Sequence, residues 1–321
     1  MGKAFLSVRH TPRRIVAGAV AALLCLWAGN ASAFDPELPK EPVVKELAPG
    51  VFQYINANGR WNSGFVVGSD SVAVIDAMLT PADARKVLAE IRKRTDKPVR
   101  YLIITHQHSD HYFGAQVYVP PAELIAHEAV RHHYSRNLEK EFRFRKTVSP
   151  KADLSEVKVV LPTMTIAGEG KRMTLHLGGK DIDIHNYGVG QTPDALFIHV
   201  PADRILFTGD VFNRKSINYM AGAPSLDGWF RILDRIEAID ATIYAGGHGL
   251  PAGKEDFRAY RQMLKDFIDG VKGAIASGLS VERAAAQITL PQYKGWRNYE
   301  NFTRRNVIGL YKRFQREAKR K

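Results

Sequence analysis

Short apolar runs separated by turn-forming residues dominate the first half of the chain. Glycine, asparagine, serine and aspartate interrupt these runs at residues 58–59 and 68–70, which is typical of strands joined by turns. The pattern predicts strands at residues 51–55, 64–67, 72–75, 101–104 and 123–126. Pro81 opens a predicted helix that extends to about residue 94, with Leu88 and Ile91 on one face. A second helix is predicted from about residue 128 through the 140s.

The second half of the chain repeats this alternation and then becomes helical. Strands are predicted near residues 173–185, 195–200, 205–208 and 242–245, with a helix near 226–239. From about residue 255 the apolar spacing is that of helices, predicted at 257–276, 281–287 and 298–317. Strands that alternate with helices predict an α/β protein, with two sheets inside and helices outside.

The first 33 residues have the pattern of an export signal. Lys3, Arg9 and the Arg13-Arg14 pair give a basic start, residues 15–28 are apolar, and Ala31-Ser32-Ala33 is a small-residue cleavage site. The apolar stretch is shorter than the roughly 20 residues of a spanning helix. We therefore expect a signal peptide that is cleaved near Ala33. The mature protein would be periplasmic or secreted, with no stable membrane insertion.

The mature chain defined by this cleavage is positively charged and free of cysteine. Cys25 lies inside the predicted signal, so the mature chain offers neither disulfides nor thiolate ligands. It retains 42 lysines and arginines against 33 acidic residues over 288 residues, a net charge of +9. This excess can steer anionic substrates, although a solvated helix face also explains the basic C-terminus. No separate nucleic-acid-binding element is recognisable, so we expect no nucleic-acid partner.

Candidate chemistry is concentrated in one short segment after a predicted strand. His106, His108, Asp110 and His111 place three imidazoles and a carboxylate in six consecutive positions. Alternate side chains of an extended chain point the same way, so His106 and His108 can hold one ion. Asp110 and His111, beyond the bend, can then reach a second. Imidazole and carboxylate ligands suit zinc, and imidazole also suits copper, iron and nickel. An exposed histidine cluster is the alternative, but the buried-looking strand before it argues against that.

This segment and four further motifs resemble the metallo-β-lactamase superfamily, whose metal-binding signature is H-x-H-x-D-H. The other motifs are an apolar strand ending in Asp76, a turn at residues 187–194, a strand ending in Gly209-Asp210, and Gly247-His248. The resemblance covers about residues 45–250. It implies an αβ/βα four-layer sandwich in a domain of residues 34–254. A C-terminal helical extension, residues 255–321, is expected to pack on the same domain and to contribute nothing catalytic.

The resemblance also implies a ligand set for two metal ions. The implied ligands are His106, His108 and Gln191 for the first ion, Asp110, His111 and His248 for the second, and Asp210 between them. Most relatives carry histidine where this chain has Gln191, and an amide oxygen is a weaker zinc ligand. We therefore expect a looser first site that also accepts manganese or iron. Gln191 is either a ligand or a hydrogen-bonding group that faces the substrate. The expected cofactor is zinc, as one ion or two.

Such a site supports attack of a metal-bound hydroxide on a carbonyl, sulfuryl or phosphoryl centre. The interpretation we favour is an exported zinc-dependent hydrolase of a small-molecule ester, thioester, lactone or sulfate ester. Asp110 would orient the attacking water besides binding metal. Two alternatives stay open. One is a β-lactam hydrolase, against which Asp210 and Gln191 argue, and the other is a non-catalytic or redox-relay accessory protein that keeps the fold.

Supporting roles fall to residues outside the ligand set. Asp76 ends a different strand, so we expect it to order the histidine loop from behind rather than to bind metal. Trp61 lies in a hairpin that covers the pocket in relatives, and it either contacts substrate or packs against Phe65. Arg214 and Lys215 either anchor a carboxylate or sulfate or form a surface pair. The C-terminal helices can rim the pocket or mediate a homodimer.

Two histidines fall on predicted strands outside these motifs. His199 has the pattern of an ordinary surface or edge residue. His185 lies six residues before Gln191, and six residues of strand span about 20 Å. The chain would have to fold back before His185 could replace the missing ligand. We therefore expect that His185 does not replace the third ligand of the first ion.

Overall fold

A computed structural model gives the fold of residues 37–320. The predicted signal peptide, residues 1–33, lies outside the described residues, so its cleavage and the export of the protein remain predictions. In the part of the chain that is described, no helix has both the length and the apolar character needed to cross a membrane.

The first sheet contains seven strands within residues 37–320, and their order in space is their order in the chain. They are β1 (Val43–Ala48), β2 (Val51–Ile55), β3 (Asn62–Val67), β4 (Val72–Ile75), β5 (Val99–Ile103), β6 (Glu123–His127) and β7 (Met164–Ile166). Pairing is antiparallel from β1 to β4 and parallel from β4 to β7. The carboxyl ends of β4 and β5 therefore lie at the same edge of the sheet.

The second sheet has five strands in the described residues, in the order β12-β11-β10-β9-β8. They are β8 (Arg172–His176), β9 (Asp181–Asn186), β10 (Leu196–Val200), β11 (Ile205–Gly209) and β12 (Ile243–Gly246). β11 and β12 pair in parallel, while the other pairs are antiparallel. β11 and β12 thus also end at a common edge.

Seven α-helices accompany the sheets between residues 37 and 320. They are α1 (Pro81–Arg92), α2 (Ser109–Tyr112), α3 (Glu128–Val148), α4 (Leu226–Ala238), α5 (Lys254–Ala276), α6 (Val281–Gln287) and α7 (Tyr299–Ala318). Local chemistry explains where α1 begins, because the Thr80 hydroxyl accepts from the Asp83 amide at 3.1 Å and Pro81 occupies the first turn. Ser225 caps α4 in the same way, accepting from the Gly228 amide at 2.8 Å.

Three apolar clusters define four layers. Ile75 and Ile103 of the first sheet meet Ile184 and Ile198 of the second between the two sheets. The outer face of the first sheet packs on α1 and α3. The outer face of the second sheet shares one cluster with α4, α5, α6 and α7. This arrangement confirms the predicted α/β class and the αβ/βα sandwich. The C-terminal helices pack on the second sheet, whereas the domain boundary at residue 254 stays a prediction.

The structure adds three elements that the apolar pattern did not predict: β1, β7 and α2. β1 is an edge strand with Lys45 and Glu46 exposed, so it has no buried face to produce an alternating pattern. β7 is only three residues long. α2 is a single turn formed by the metal-ligand motif itself, from Ser109 to Tyr112.

Candidate metal centre

The motif residues converge where four strands end. Asp76 follows β4, the histidine loop follows β5, Asp210 follows β11, and His248 lies two residues beyond β12. The structure brings two triads together, each with its ligand atoms within 4.8 Å of one another. One is His106, His111 and Asp210, and the other is Asp110, His111 and His248.

The Asp210 carboxylate lies among four imidazole rings. Its Oδ2 is 3.3 Å from His106 Nε2 and 3.2 Å from His108 Nδ1. Its Oδ1 is 3.1 Å from His248 Nε2 and 3.5 Å from His111 Nε2. Burial would raise the pKa of Asp210, but the charges of His248, His111 and His106 hold it well below its usual range. One ionised carboxylate therefore joins both halves of the ligand set.

Hydrogen bonds on the outer side of the rings fix which nitrogen faces inward. The Thr105 hydroxyl donates to Asp76 Oδ2 at 2.8 Å, so it accepts from His106 Nδ1 at 2.9 Å. His111 Nδ1 donates to Asp76 Oδ2 at 2.9 Å, and His248 Nδ1 donates to the Arg60 carbonyl. When the outer nitrogen carries the proton, the inner nitrogen of a neutral ring keeps its lone pair for a metal.

This donor set fits a divalent cation. The Nε2 atoms of His106 and His111 are buried and make no hydrogen bond with any described residue. A buried polar atom without a partner destabilises the fold by about 1–3 kcal/mol. Without a cation, burial acts to lower the pKa of His111, but Asp210 and then Asp76 raise it to about 9.

Asp76 lies behind the histidine loop and does not point into the cluster. Its carboxylate accepts from the Thr105 amide, the Thr105 hydroxyl and His111 Nδ1. Its backbone is in the left-handed region, at φ 60°, which non-glycine residues seldom adopt. That strained turn directs the carboxylate from the end of β4 toward the neighbouring loop. Its effect on metal binding stays a prediction.

Asp110 is held by an arginine that sequence analysis missed. Arg145 Nη2 lies 2.6 Å from Asp110 Oδ1, and its Nε donates to the Ser109 hydroxyl at 2.8 Å. Asp110 Oδ2 faces the cluster, 3.7 Å from His248 Nε2. Burial would raise the pKa of Asp110, but Arg145, followed by His111 and His248, holds it well below its usual range. Arg145 is one of many charged residues on α3, so no pattern distinguishes it.

The turn of residues 187–194 carries two side chains with buried oxygen atoms, Gln191 and Asp194, and the role of Gln191 as a ligand stays a prediction. Gln191 Oε1 is buried and makes no hydrogen bond within the described chain. Three residues later, Asp194 is buried, and neither of its carboxylate oxygens makes a hydrogen bond with a described residue. Burial raises the pKa of Asp194, while His106 and then the Thr192 hydroxyl oppose this. Asp194 belongs to the turn motif of residues 187–194 but was not predicted as a site residue, although an acid just before the apolar strand β10 was an available signal.

The three residues predicted to contact substrate have other partners in the structure. Trp61 is half-buried against the cluster that contains Phe65. Arg214 Nη1 lies 2.6 Å from Glu37 and Lys215 Nζ lies 3.2 Å from the same carboxylate. Asp256 is a further partner of Arg214, at 3.3 Å. The roles of all three in substrate binding stay predictions, and Arg214 and Lys215 are already paired with acidic side chains.

Arg297 brings a cation from the C-terminal segment to the centre. It donates to the carbonyls of Gly59 and Arg60, the second of which also accepts from His248. Burial lowers its pKa to about 10, against the opposing charges of Asp210 and Asp110. No ion pair with a carboxylate of residues 37–320 occupies this guanidinium. Packing brings residue 297 back to residue 60, so the C-terminal segment reaches the edge of the centre, while its role in catalysis stays a prediction.

The chain belongs to the metallo-β-lactamase superfamily. Residues 59–248, more than half of the chain, match the profile described as the metallo-beta-lactamase superfamily.

Two curated proteins share sequence with the chain at low identity. A linear primary-alkylsulfatase of Pseudomonas sp. is 21% identical over 262 residues, covering 70% of this chain and 49% of the sulfatase. A 2,4-dinitroanisole O-demethylase subunit alpha of Nocardioides sp. is 23% identical over 264 residues. That alignment covers 78% of this chain and 70% of the demethylase subunit.

Solved structures share the fold. The stereoselective inverting sec-alkylsulfatase Pisa1 from Pseudomonas sp. superimposes with a TM-score of 0.69 and 18% identity, covering 85% of this chain and 50% of Pisa1. A metallo-beta-lactamase from Pontibacter korlensis gives 0.57 and 18%, covering 70% of this chain and 99% of the lactamase. The chain spans about half the length of the alkylsulfatases that it matches.

Proposed function

We propose that the protein is an exported, zinc-dependent hydrolase of small anionic esters, with sulfate esters as the favoured class. The observation that carries the proposal is the ring of imidazole nitrogens around the buried Asp210 carboxylate. A set of buried donors facing one point is what a divalent cation requires. The similarity to alkylsulfatases favours sulfate esters within this class.

Zinc, when bound, would supply a water activated near neutral pH and would polarise an oxygen of the group under attack. The chain's own residues position that chemistry. Asp210 joins the ligand sets, and Asp76 fixes the tautomer of His111. Asp110, whose Oδ1 is paired with Arg145, would use Oδ2 to orient the water and carry its proton.

Arg297 is the group we assign to the anionic part of the substrate. A guanidinium presents five N–H donors, and only two of its nitrogens are engaged by the Gly59 and Arg60 carbonyls. Planar donors of this kind bind carboxylate and sulfate-like oxygens in pairs. Arg214, which sequence analysis assigned to this role, already pairs with Glu37 and Asp256.

Aryl methyl ethers are a second candidate substrate class, because the alignment with the demethylase subunit spans most of both proteins. A β-lactam hydrolase remains an alternative, supported only by the fold that the chain shares with such enzymes.

Metal analysis and a substrate panel on the purified mature chain test the proposal. We expect zinc to co-purify or to be taken up, and an alkyl sulfate to be hydrolysed faster than a neutral ester, a lactone, a cephalosporin or an aryl methyl ether. Arg297→Gln should raise KM for the sulfate more than for the neutral ester. Arg214→Gln, which removes an arginine bound to acids, is the matched control and should leave that ratio unchanged. A metal-replete protein inactive on the whole panel would overturn the hydrolase assignment.

A further inference from the structure

A second cluster of metal-type ligands lies on the strands of the second sheet. Asp183 and His185 are alternate residues of β9, and His199 of β10 lies opposite Asp183 in the strand register. The ligand atoms of these three residues lie within 4.8 Å of one another. Their neighbours Ile184 and Ile198 fill the core between the sheets, so the three polar side chains face the opposite side.

This cluster is separate from the metal centre. His199 pairs with Leu206 of β11, and Asp210 lies four residues further along the same strand direction. Four residues of strand span roughly 13 Å, so one ion could not be shared by the two clusters.

Hydrogen bonds hold two of the three ligands in place. His199 Nε2 lies 3.3 Å from the Asp240 carbonyl, and donation to it leaves Nδ1 with a free lone pair. Asp183 Oδ1 accepts from the Thr174 hydroxyl at 2.6 Å. Metal-binding histidines and carboxylates are commonly oriented by such outer partners.

The third ligand lacks the partner that the other two have. His185 Nε2 is buried and makes no hydrogen bond to any residue that the structure describes.

We propose that Asp183, His185 and His199 bind a divalent transition-metal ion, for which zinc is the best fit. Two imidazoles and one carboxylate are a common three-ligand set for zinc, and water completes the tetrahedron. Arg172 lies 3.6 Å from Asp183 Oδ2, with its side chain 59% exposed. Asp183 itself is only 16% exposed, but a 3.6 Å pair with a largely exposed arginine contributes little, so a cation can displace Arg172 from the carboxylate.

The position of the cluster gives the ion a structural role. β9 leads into the turn of residues 187–194, and β10 leads out of it. An ion bound to both strands braces the base of the turn that carries Gln191 and Asp194. Loss of the ion should therefore loosen that turn.

Zinc titration of chelator-treated protein, followed by calorimetry and elemental analysis, tests this site. We expect the His185→Gln/His199→Gln double variant to bind one ion fewer per chain than the wild type. His176→Gln is the matched control, because His176 lies on neighbouring β8 with its side chain 75% exposed and paired with Asp181. It should bind as many ions as the wild type.

Two further measurements keep the result interpretable. Asp183→Asn removes the negative charge, so it should lower the affinity for the same ion at least tenfold. Because it retains the side-chain shape, it should leave the circular dichroism spectrum unchanged. Imidazole NMR signals of His185 and His199 should shift on adding one equivalent of zinc, whether or not the metal centre is loaded. Equal stoichiometry in the wild type and the double variant, or binding only at millimolar zinc, would overturn the site without bearing on the proposed hydrolase.

Discussion

The metal centre and the strand cluster use the same residue types on different supports. The centre takes its ligands from segments beyond the ends of β5, β11 and β12, so the ligands fall into a few short sequence motifs. The strand cluster takes its ligands from the bodies of β9 and β10. Loop sites can be recognised as motifs, whereas a strand site looks in sequence like the polar face of any strand. The comparison shows why one cluster was predicted and the other was not.

The two clusters also differ in charge. Asp210 and Asp110 give the centre two buried carboxylates that are ionised. The strand cluster has one carboxylate, Asp183, and Arg172 beside it. We therefore expect the centre to bind zinc more tightly than the strand cluster.

The largest effect should come from Asp110→Asn. An amide is a weak zinc ligand, and the variant also leaves Arg145 buried without its anion. We expect activity to fall more than about 100-fold and the second ion of the centre to be lost, while the strand-cluster ion remains. Elemental analysis and steady-state kinetics measure both changes. A fully active, metal-replete variant would remove the basis for assigning the centre.

Asp76→Asn should have the next largest effect. The carboxylate accepts at both oxygens, from the Thr105 amide at Oδ1 and from the Thr105 hydroxyl and His111 Nδ1 at Oδ2. An amide has one acceptor oxygen and cannot serve both sides, so His111 is no longer held in place. Loss of such an outer partner typically lowers metal affinity about 10- to 100-fold. Zinc titration should show this at the centre alone. An affinity equal to that of the wild type would mean that Asp76 acts only on the fold.

The pH dependence of zinc binding should separate the two clusters. His111 has a raised pKa of about 9 in the metal-free protein, so zinc must displace a proton below that pH. The centre should therefore gain up to about tenfold in affinity per pH unit from about pH 6.5 to 8.5. His185 and His199 have lowered pKa values and no proton to displace, so the strand cluster should change little. Parallel pH profiles for the two ions would contradict this assignment.

The smallest effect is expected at the turn between β9 and β10. Imidazole is a stronger zinc ligand than an amide oxygen, so Gln191→His should tighten the first ion by roughly tenfold. Gln191→Ala should weaken the binding of the first ion and leave the binding of the second unchanged. Asp194→Asn tests the alternative oxygen donor, and it should weaken the first ion if the buried carboxylate is the ligand. Identical titrations for wild type, Gln191→His and Gln191→Ala would show that Gln191 faces the substrate instead.

Sequence predicted most of the fold because apolar periodicity is local. β2, β4 and α6 were predicted with their observed bounds, and the edge strand β1 was missed because neither of its faces is buried. The histidine loop was visible for a similar reason, since its four ligands lie within six consecutive positions. Arg145 and Arg297 could not be predicted, because their partners lie 35 and 238 residues away and only packing brings them together.

The Arg60 carbonyl makes the pocket rim and the metal ligands interdependent. One oxygen accepts from His248, a metal ligand in our assignment, and from Arg297, the proposed anion-binding group. A shift of this loop therefore changes both partners at once. Loop exchange between relatives would alter metal affinity and substrate preference together, so new specificities at this rim should arise through paired substitutions rather than single steps.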